Sequence, residues 1–349
     1  MKYFETYDSI RDKQVNGIEI FMMNVGDADC FLVIRYANLK IIDTTLIDGG
    51  NKSNAKDIVQ RLKDLKVTHI DNVVNTHPHA DHASGLIEII KDGSFTFGEM
   101  WINSPDQCIN ANSIRYQLSF YNLNNVLNRF NSAIDLNQEI INACQWRGIT
   151  IDSPTAGKKI GPFWVLGPST SFYNECWQSL SNNQAMREWN HYYDIRDFQD
   201  IIIEQTSQDK PLGDDTSPIN ESSVVLQFEY NNKKYVFTGD AGCNAINDII
   251  ARGMNSHIED IFWLGSPHHG SRRNLSPELI DIINPSIVFI SCIGSRKHPS
   301  KKLVNYFKDN CNSKVHATYY PPGNKNGWKL YCADNTPSRN TSHSTELYE

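Results

Sequence analysis

The segment at residues 77–82 reads His-Pro-His-Ala-Asp-His, so three imidazoles and one carboxylate lie within six residues. It directly follows the largely apolar run at 70–75 and is therefore predicted to lie at the end of a strand. Imidazole and carboxylate groups bind divalent cations, and donors this closely spaced can face two neighbouring ions. The segment predicts a metal site and, with it, metal-activated hydrolysis.

Four other segments place residues of the same chemical types at predicted strand ends. They are Asp48 in Leu-Ile-Asp-Gly-Gly, the Asn-Glu-Ser-Ser segment at 220–223, Gly239-Asp240, and the Pro-His-His-Gly-Ser segment at 267–271. Residues at the ends of neighbouring strands can meet at one edge of a sheet. These segments are therefore candidates to complete the site.

Together the segments resemble the metallo-β-lactamase superfamily, which combines HxHxDH with a distant Gly-Asp and a late histidine. Within it, the closest likeness is to the hydrolase domain of ComEC-type competence proteins. This likeness is carried by Val25–Asp29, Thr238-Gly239-Asp240, His268–Ser271, and Ser291 with His298-Pro299. It covers roughly residues 18–100 and 220–310. The resemblance implies a four-layer αββα sandwich and, for the ComEC-type branch, a DNA-degrading activity.

The residues divide into two expected metal positions. His77 and His79 share a side because alternate residues of an extended chain point the same way, and they form the first position. Asp81 and His82 face the second position, and Asp240 bridges the two with one oxygen each. His268 is the preferred completing ligand of the second position. His269 is then placed beside the metal or in contact with substrate.

One departure from the family pattern affects the choice of metal. Zinc members usually supply another histidine just before a strand, where this chain has Asn220-Glu221-Ser222-Ser223, and the ComEC-type branch also lacks it. The first position is then short of a nitrogen ligand, which shifts the expected metal from zinc towards manganese. We expect two divalent ions, zinc or manganese, with single occupancy as the alternative. Asn220 and Ser222 are placed near the metal or the substrate.

Other residues have a functional and a structural interpretation. Asp48 either hydrogen-bonds a ligand imidazole and fixes its tautomer or is a turn residue. Asp81 is expected to be catalytic as well as a ligand. His298 is a candidate proton donor, or else a helix cap or surface residue. Arg272 contacts a substrate phosphate or belongs to a solvated loop. Asp29 is predicted to be a structural turn residue.

The elements that must position these residues alternate between strands and helices. Strands are predicted at 18–23, 30–36, 40–46 and 72–75, with helices at 55–65 and around 86–90. A hairpin is predicted at 223–238, and helices at 245–252, 277–284 and 301–308 follow it. The interpretation is an α/β (α+β) single domain over residues 1–349. A largely helical insertion at about 104–220 shapes access to the site, and a polar tail begins at about 335.

Composition limits the class of protein. The net charge of -7 gives no overall attraction for nucleic acid or anionic membranes, although local basic pairs such as Arg272-Arg273 and Arg296-Lys297 remain. Eight cysteines without a CxxC pair favour reduced thiols, and no membrane segment or signal peptide is predicted. We therefore expect a cytoplasmic protein with no membrane partner.

The predicted function is metal-dependent hydrolysis of a phosphodiester in DNA or a nucleotide by activated water. One alternative is a hydrolase of a non-phosphate ester, thioester or amide. Another is a non-catalytic subunit of a bacterial antiviral defence or DNA-processing system, which would bind a protein partner through the insertion. Loss of biological function in Asp81→Ala or Asp240→Ala would separate the enzyme from the non-catalytic subunit.

Overall fold

The computed structural model describes residues 17–38, 40–180, 212–214, 216–294 and 298–318, together with the backbone of 328–333 and 345–346. Arg296, Lys297 and the polar tail from about 335, apart from residues 345–346, lie outside the described residues.

The first sheet has seven strands in the order β14-β1-β2-β3-β4-β5-β6. Strands β14 to β3 pair antiparallel, whereas β3 to β6 pair parallel. Its strands are β1 (Gly17–Met22), β2 (Phe31–Ala37), β3 (Lys40–Ile47), β4 (His69–Val74), β5 (Thr96–Trp101), β6 (Thr150–Asp152) and β14 (Trp328–Ala333).

The second sheet has eight strands in the order β15-β13-β12-β11-β10-β9-β8-β7. Strands β10 to β13 pair parallel, and the remaining neighbours pair antiparallel. Its strands are β7 (Lys159–Ile160), β8 (Phe163–Gly167), β9 (Val225–Tyr230), β10 (Lys233–Phe237), β11 (Trp263–Gly265), β12 (Ile287–Ile290), β13 (Lys314–Ala317) and β15 (Thr345–Glu346).

Helices cover the outer face of each sheet. Those among the described residues are α1 (Ala55–Asp64), α2 (Ala80–Lys91), α3 (Ala111–Phe120), α4 (Asn124–Arg147), α5 (Thr170–Ser179), α6 (Pro218–Glu221), α7 (Cys243–Ala251), α8 (Pro277–Ile283) and α9 (Lys301–Asp309). None of them combines the length and the apolar character that crossing a membrane requires.

The apolar side chains sort into cores that define four layers. In β1, Ile18, Ile20 and Met22 pack between the two sheets, whereas Phe21 packs beneath α1 and α2. Alternation of this kind follows from the two-residue period of a strand. A further core joins the outer face of the second sheet to α7, α8 and α9. The order helix, sheet, sheet, helix confirms the expected αββα fold.

The region predicted as an insertion contributes to the sandwich as well as to its cover. Helices α3, α4 and α5 share a core of their own around Phe130 and Trp177. Strand β6, however, extends the edge of the first sheet, and β7 and β8 extend the edge of the second. The described part of this region therefore combines three helices with three short strands that are continuous with the two sheets.

Candidate metal centre

The candidate residues converge because they follow the carboxyl ends of strands in both sheets. Asp48 follows β3, and the histidine-rich segment 77–82 follows β4. Asp240 follows β10, the histidine pair 268–269 follows β11, and His298 follows β12. Parallel neighbours end at the same edge of a sheet, so residues distant in sequence reach one place. The structure brings these residues together.

Helix α2 begins inside the histidine-rich segment and fixes two of its donors. His79 is the extended N-cap residue, so Asp81 and His82 lie in the first turn of the helix. The carbonyl of Gly49 lies so close to α2 that a Cβ on Gly85 would be 1.9 Å from it. The backbone N–H of Gly49 also donates to the carbonyl of His82 at 2.8 Å. Glycine at these positions therefore allows the contact that holds the N-terminus of α2 against the end of β3.

Asp240 lies at the centre of the cluster and is almost fully buried, with 1% of its surface exposed. Its Oδ2 lies 3.6 Å from Nε2 of His77 and 3.7 Å from Nε2 of His268. Its Oδ1 lies 3.2 Å from Nε2 of His82. Asp240 therefore presents one oxygen to each of two sets of donors.

The first set, called here the Oδ2 group, comprises His77, His79 and His268. Nε2 of His77 lies 3.0 Å from Nδ1 of His79, and ligand atoms of both histidines lie within 4.8 Å of Asp240. A cation bound at about 2.0–2.2 Å holds its donors roughly 3–3.5 Å apart in tetrahedral geometry. The spacing of the two imidazoles therefore fits shared binding of one ion.

The second set, called here the Oδ1 group, comprises Asp81, His82 and His269. Their ligand atoms lie within 4.8 Å of one another. Oδ2 of Asp81 lies 3.2 Å from Nε2 of His269 and 3.8 Å from Nε2 of His82. His269, rather than the His268 expected from the sequence, is thus the imidazole beside Asp81. His268 lies on the other side of Asp240.

The turn that carries the two adjacent histidines explains their divergence. Residues 267–270 form a 3₁₀ turn in which His268 (φ 49°) and His269 (φ 55°) both adopt left-handed backbone conformations. The two rings lie at 74° to each other with centroids 5.8 Å apart. Non-glycine residues with positive φ are uncommon, and two in succession suggest that the surrounding structure enforces the turn.

Hydrogen bonds to Nδ1 assign the tautomers of two of these imidazoles and orient a third. Nδ1 of His82 lies 2.8 Å from Oδ2 of Asp48, and Nδ1 of His269 lies 3.1 Å from the carbonyl of Ser291. A carboxylate and a carbonyl can only accept, so both Nδ1 atoms must carry the proton. Nδ1 of His268 lies 3.1 Å from Oδ1 of Asn274, whose Nδ2 donates to the backbone carbonyl of Asp240 at 2.8 Å. Because Nδ2 of Asn274 donates to that carbonyl, Oδ1 is the amide atom that faces His268.

These tautomers show that the cluster fits a cation. With Nδ1 protonated, each Nε2 directs a lone pair at a carboxylate oxygen of Asp81 or Asp240. Nε2 of His82 and Oδ1 of Asp240 are buried without a hydrogen bond among the described residues. Facing lone pairs repel unless a proton or a metal ion lies between them. The donor chemistry therefore suits divalent metal ions.

The charges within the cluster act in opposite directions on the imidazoles. Burial, together with the charge of His82, lowers the pKa of His77 well below its ordinary value and that of His79 to about 4, against the raising effect of Asp240 and Asp81. Burial also lowers the pKa of His82, but the charges of Asp240, Asp81 and Asp48 outweigh burial and raise it well above the ordinary value. The pKa of His269 is likewise raised, because hydrogen bonds with Asp29 and Asp81 outweigh burial.

The carboxylates respond to the imidazoles in the opposite sense. Burial raises the pKa of Asp240, but the charges of His268, His82 and His77 outweigh it and hold the pKa well below the usual value. The pKa of Asp81 is lowered in the same way by His82 and His269. Both carboxylates are therefore charged at neutral pH and available as ligands.

The remaining predicted residues lie at different distances from the centre. The side-chain amide of Asn220 lies 3.3 Å from Nδ1 of His268. The Ser222 hydroxyl instead donates to the carbonyl of Ile219, and it is the Ser223 hydroxyl that accepts from the backbone N–H of Asp240, at 3.2 Å. His298 is buried, with its ring centroid 5.6 Å from that of His268.

Arg272 is buried, and its backbone carbonyl accepts from the N–H of Gly213 at 2.9 Å. The structural alternative for Arg272 was a place in a solvated loop, and its burial does not agree with that alternative. The contact also joins the C-terminal end of the insertion to the segment that follows the histidine pair.

Sequence reasoning missed two contributors to the cluster and one residue that supports a neighbouring helix. Asp29 is buried 3.5 Å from Nδ1 of His269, although it was predicted to be a turn residue. The family-like turn at 25–29 was the available signal. Asn274 had no signal in the sequence. Glu221 was visible only as an acidic residue beside Asn220, and its carboxylate accepts from the backbone N–H of Gly242 at 3.2 Å and Ala245 at 2.8 Å, at the start of α7.

Comparison with solved structures gives distant neighbours. They include the hydrolase AbOPH of the beta lactamase superfamily (14% identity, 61% of this chain and 55% of that chain, TM-score 0.34). A putative metallo-beta-lactamase from Thermotoga maritima has 12% identity over 65% of this chain and 79% of that chain, with a TM-score of 0.33. The CmlA beta-hydroxylase E377D mutant has 11% identity over 91% of this chain and 54% of that chain, with a TM-score of 0.42.

At these TM-scores the neighbours carry no functional information, and the chain spans only about half the length of AbOPH and CmlA. No curated protein matches the sequence. A model of the Metallo-beta-lactamase superfamily matches residues 42–98, the region from β3 to β5 that contains Asp48 and the histidine-rich segment. Over these residues the chain is similar to the metallo-beta-lactamase superfamily.

Proposed function

We propose that the chain is a metal-dependent hydrolase that cleaves phosphodiesters in DNA or in a nucleotide. The observation that carries the proposal is the placement of two donor groups on the two oxygens of Asp240. Two neighbouring ions suit in-line displacement at phosphorus, because they can neutralise both the attacking and the leaving oxygen. The family-model match supports a hydrolase but does not specify its substrate.

The residues that would hold the ions follow from the geometry. His77, His79 and His268 would hold one ion on the Oδ2 side, and Asp81, His82 and His269 would hold the other on the Oδ1 side, with Asp240 between them. This assignment moves His268 from the second position, where the sequence placed it, to the first. Bound divalent cations would lower the pKa of a water molecule and offset the negative charge of the phosphoryl oxygens.

The surrounding residues keep the donors in orientation. Asp48 holds His82, the Ser291 carbonyl holds His269, and Asn274 holds His268, in each case through Nδ1. Contacts of this kind fix the direction of Nε2 and reduce the reorganisation needed when a ligand binds.

His298 and Arg272 are proposed to act on the substrate. His298 packs against both rings of the histidine pair, with centroid distances of 5.6 Å and 5.8 Å, so it can deliver a proton to a leaving oxygen beside the cluster. Arg272 directly follows the turn that bears the histidine pair, and a guanidinium there could pair with a phosphate.

The function is tested by comparing substrate classes on one preparation loaded with zinc or manganese. We expect turnover of bis-(p-nitrophenyl) phosphate and of single- or double-stranded DNA, with little turnover of a thioester or a β-lactam. Asp240→Asn should abolish turnover, whereas Asp64→Asn, a change at an exposed site on α1, should not.

The other outcomes select the alternatives. Turnover of the thioester or the lactam alone would select the non-phosphate hydrolase. Stoichiometric metal binding without turnover of any of these substrates would favour a non-catalytic subunit, whose candidate partner surface is the helical segment at 111–179.

A further inference from the structure

A third buried carboxylate lies beside the Oδ1 group. Asp29 is 3% exposed, and its ligand atom lies within 4.8 Å of those of His82 and Asp240. Its Oδ1 is also 3.5 Å from Nδ1 of His269. Asp29 thus approaches both imidazoles of the Oδ1 group.

The backbone of Asp29 is tied to the same centre. Its N–H donates to the carbonyl of Asp81 at 3.1 Å, and its carbonyl accepts from the N–H of Gly50 at 2.8 Å. The loop between β1 and β2 is therefore anchored to the start of α2 and to the end of β3. Movement of the Asp29 carboxylate away from the cluster would break these contacts or require its side chain to rotate within a closely packed site.

Pairing with His269 accounts for only part of the position of this carboxylate, because its ligand atom also lies within 4.8 Å of those of His82 and Asp240. Burying an additional negative charge beside Asp81 and Asp240 is costly unless positive charge compensates for it. Nε2 of His82 and Oδ1 of Asp240 are buried and lack a hydrogen bond among the described residues. A ligand atom of each residue lies within 4.8 Å of that of Asp29. These unsatisfied atoms are an independent indication that a cation belongs there.

The two sides of Asp240 also differ in donor chemistry. The Oδ2 group offers three imidazoles. The Oδ1 group with Asp29 offers the carboxylates Asp29 and Asp81 and the imidazoles His82 and His269. Imidazole suits zinc, whereas carboxylate-rich sites suit manganese and magnesium.

We propose that Asp29 is a further carboxylate of the metal position on the Oδ1 side and directs this position towards manganese relative to zinc. The inference rests on the proposed metal pair and specifies how its two positions differ. It makes the centre asymmetric, with a nitrogen-rich position on the Oδ2 side and an oxygen-rich position on the Oδ1 side.

The test compares the manganese and zinc affinities of the full chain after chelation and reloading. Manganese binding is followed by electron paramagnetic resonance, and zinc by competition and elemental analysis. The variants are Asp29→Asn and Asp29→Glu. Asp27→Asn is the matched control, because Asp27 lies in the same loop and its Oδ1 accepts from the backbone N–H of Ile293, which an asparagine can preserve.

We expect Asp29→Asn to weaken manganese binding at one position by about 10–100-fold and to weaken zinc binding much less. Asp29→Glu should restore part of the manganese preference, and Asp27→Asn should behave as the wild type does. Circular dichroism of the metal-free proteins checks that each variant folds. If the asparagine variant does not fold, the glutamate variant still tests the inference.

Unchanged manganese and zinc affinities in Asp29→Asn would overturn the inference. Equal loss of both metals would also overturn it, since a structural role of Asp29 predicts that result. Failure of the wild type to bind either metal is a distinct outcome, and it would refute the proposed function itself.

Discussion

His82 and Asp48 form the shortest contact between an imidazole and a carboxylate among the described residues of the cluster, with Nδ1 of His82 2.8 Å from Oδ2 of Asp48. Asp48 follows β3 and has a positive φ of 57°, and its carboxylate also accepts from the backbone N–H of Thr76 at 2.8 Å. One carboxylate therefore joins the ends of β3 and β4 to the first turn of α2. It also sets the direction in which Nε2 of His82 points.

Asp48→Asn should weaken metal binding on the Oδ1 side by about 10–100-fold. The amide would place an N–H group against a donor, either Nδ1 of His82 or the backbone of Thr76, so the orientation of His82 would be disturbed. Equilibrium dialysis with elemental analysis measures the change, and Asp64→Asn is the control. An affinity equal to that of the wild type would show that Asp48 acts only as a turn residue.

The two adjacent histidines should have separable effects on metal binding. We expect His269→Gln to reduce occupancy on the side of Asp81, and His268→Gln to reduce it on the side of His77, by about tenfold or more in affinity. Metal titration of each variant checks this, with His69→Gln as a control outside the cluster. Loss of the Asp81-side metal in His268→Gln alone would restore the assignment made from the sequence.

Glu221 should stabilise the fold rather than bind metal. Its carboxylate accepts from backbone N–H groups at the start of α7, where a negative charge is also favoured by the helix dipole. Glu221→Ala should lower the free energy of unfolding by about 2–3 kcal/mol, and Glu221→Gln by less. Urea denaturation measures both, and Glu139→Ala on the exposed face of α4 is the control. A change below about 0.5 kcal/mol in the alanine variant would contradict this role.

Asp43 should make stability depend on pH. Burial raises its pKa from 3.8 to about 6, against the lowering effect of Arg35, so the folded state binds the proton more tightly than the unfolded state does. Its contribution to stability is present below about pH 3.8 and is lost as the pH rises through about 6. Relative to Asp43→Asn, the wild type should therefore lose stability across this range. Urea denaturation at several pH values tests the prediction, and parallel curves would contradict it.

The strands and helices were largely predictable because their apolar periods match the structure. The helix predicted at 55–65 lies at Ala55–Asp64, and the predicted hairpin forms strands β9 and β10. The helix expected around 86–90 instead begins at Ala80. Its first turn contains the polar Asp81 and His82, and the burial of His82 comes from the cluster and leaves no apolar pattern in the sequence.

The composition of the centre was more predictable than its geometry. The spacing of His77 and His79 indicated that they share a side, and their nitrogens lie 3.0 Å apart. The separation of His268 from His269 depends on the left-handed backbone conformation of both residues. Histidine rarely adopts this conformation, so the sequence did not predict it. The approach of Asp29 to His269 depends on the stacking of two sheets, which a local pattern does not encode.

The division of the centre between the sheets has a consequence for how the protein matures. The imidazoles of residues 77–82 follow a strand of the first sheet, most of whose strands come early in the chain. Asp240 and the 268–269 turn follow strands of the second sheet. A nascent chain that ends before β11 carries only fragments of each ion site. We therefore expect a complete ion site to form only after the two sheets have assembled, and complementary halves of the chain to bind metal fully only after they associate.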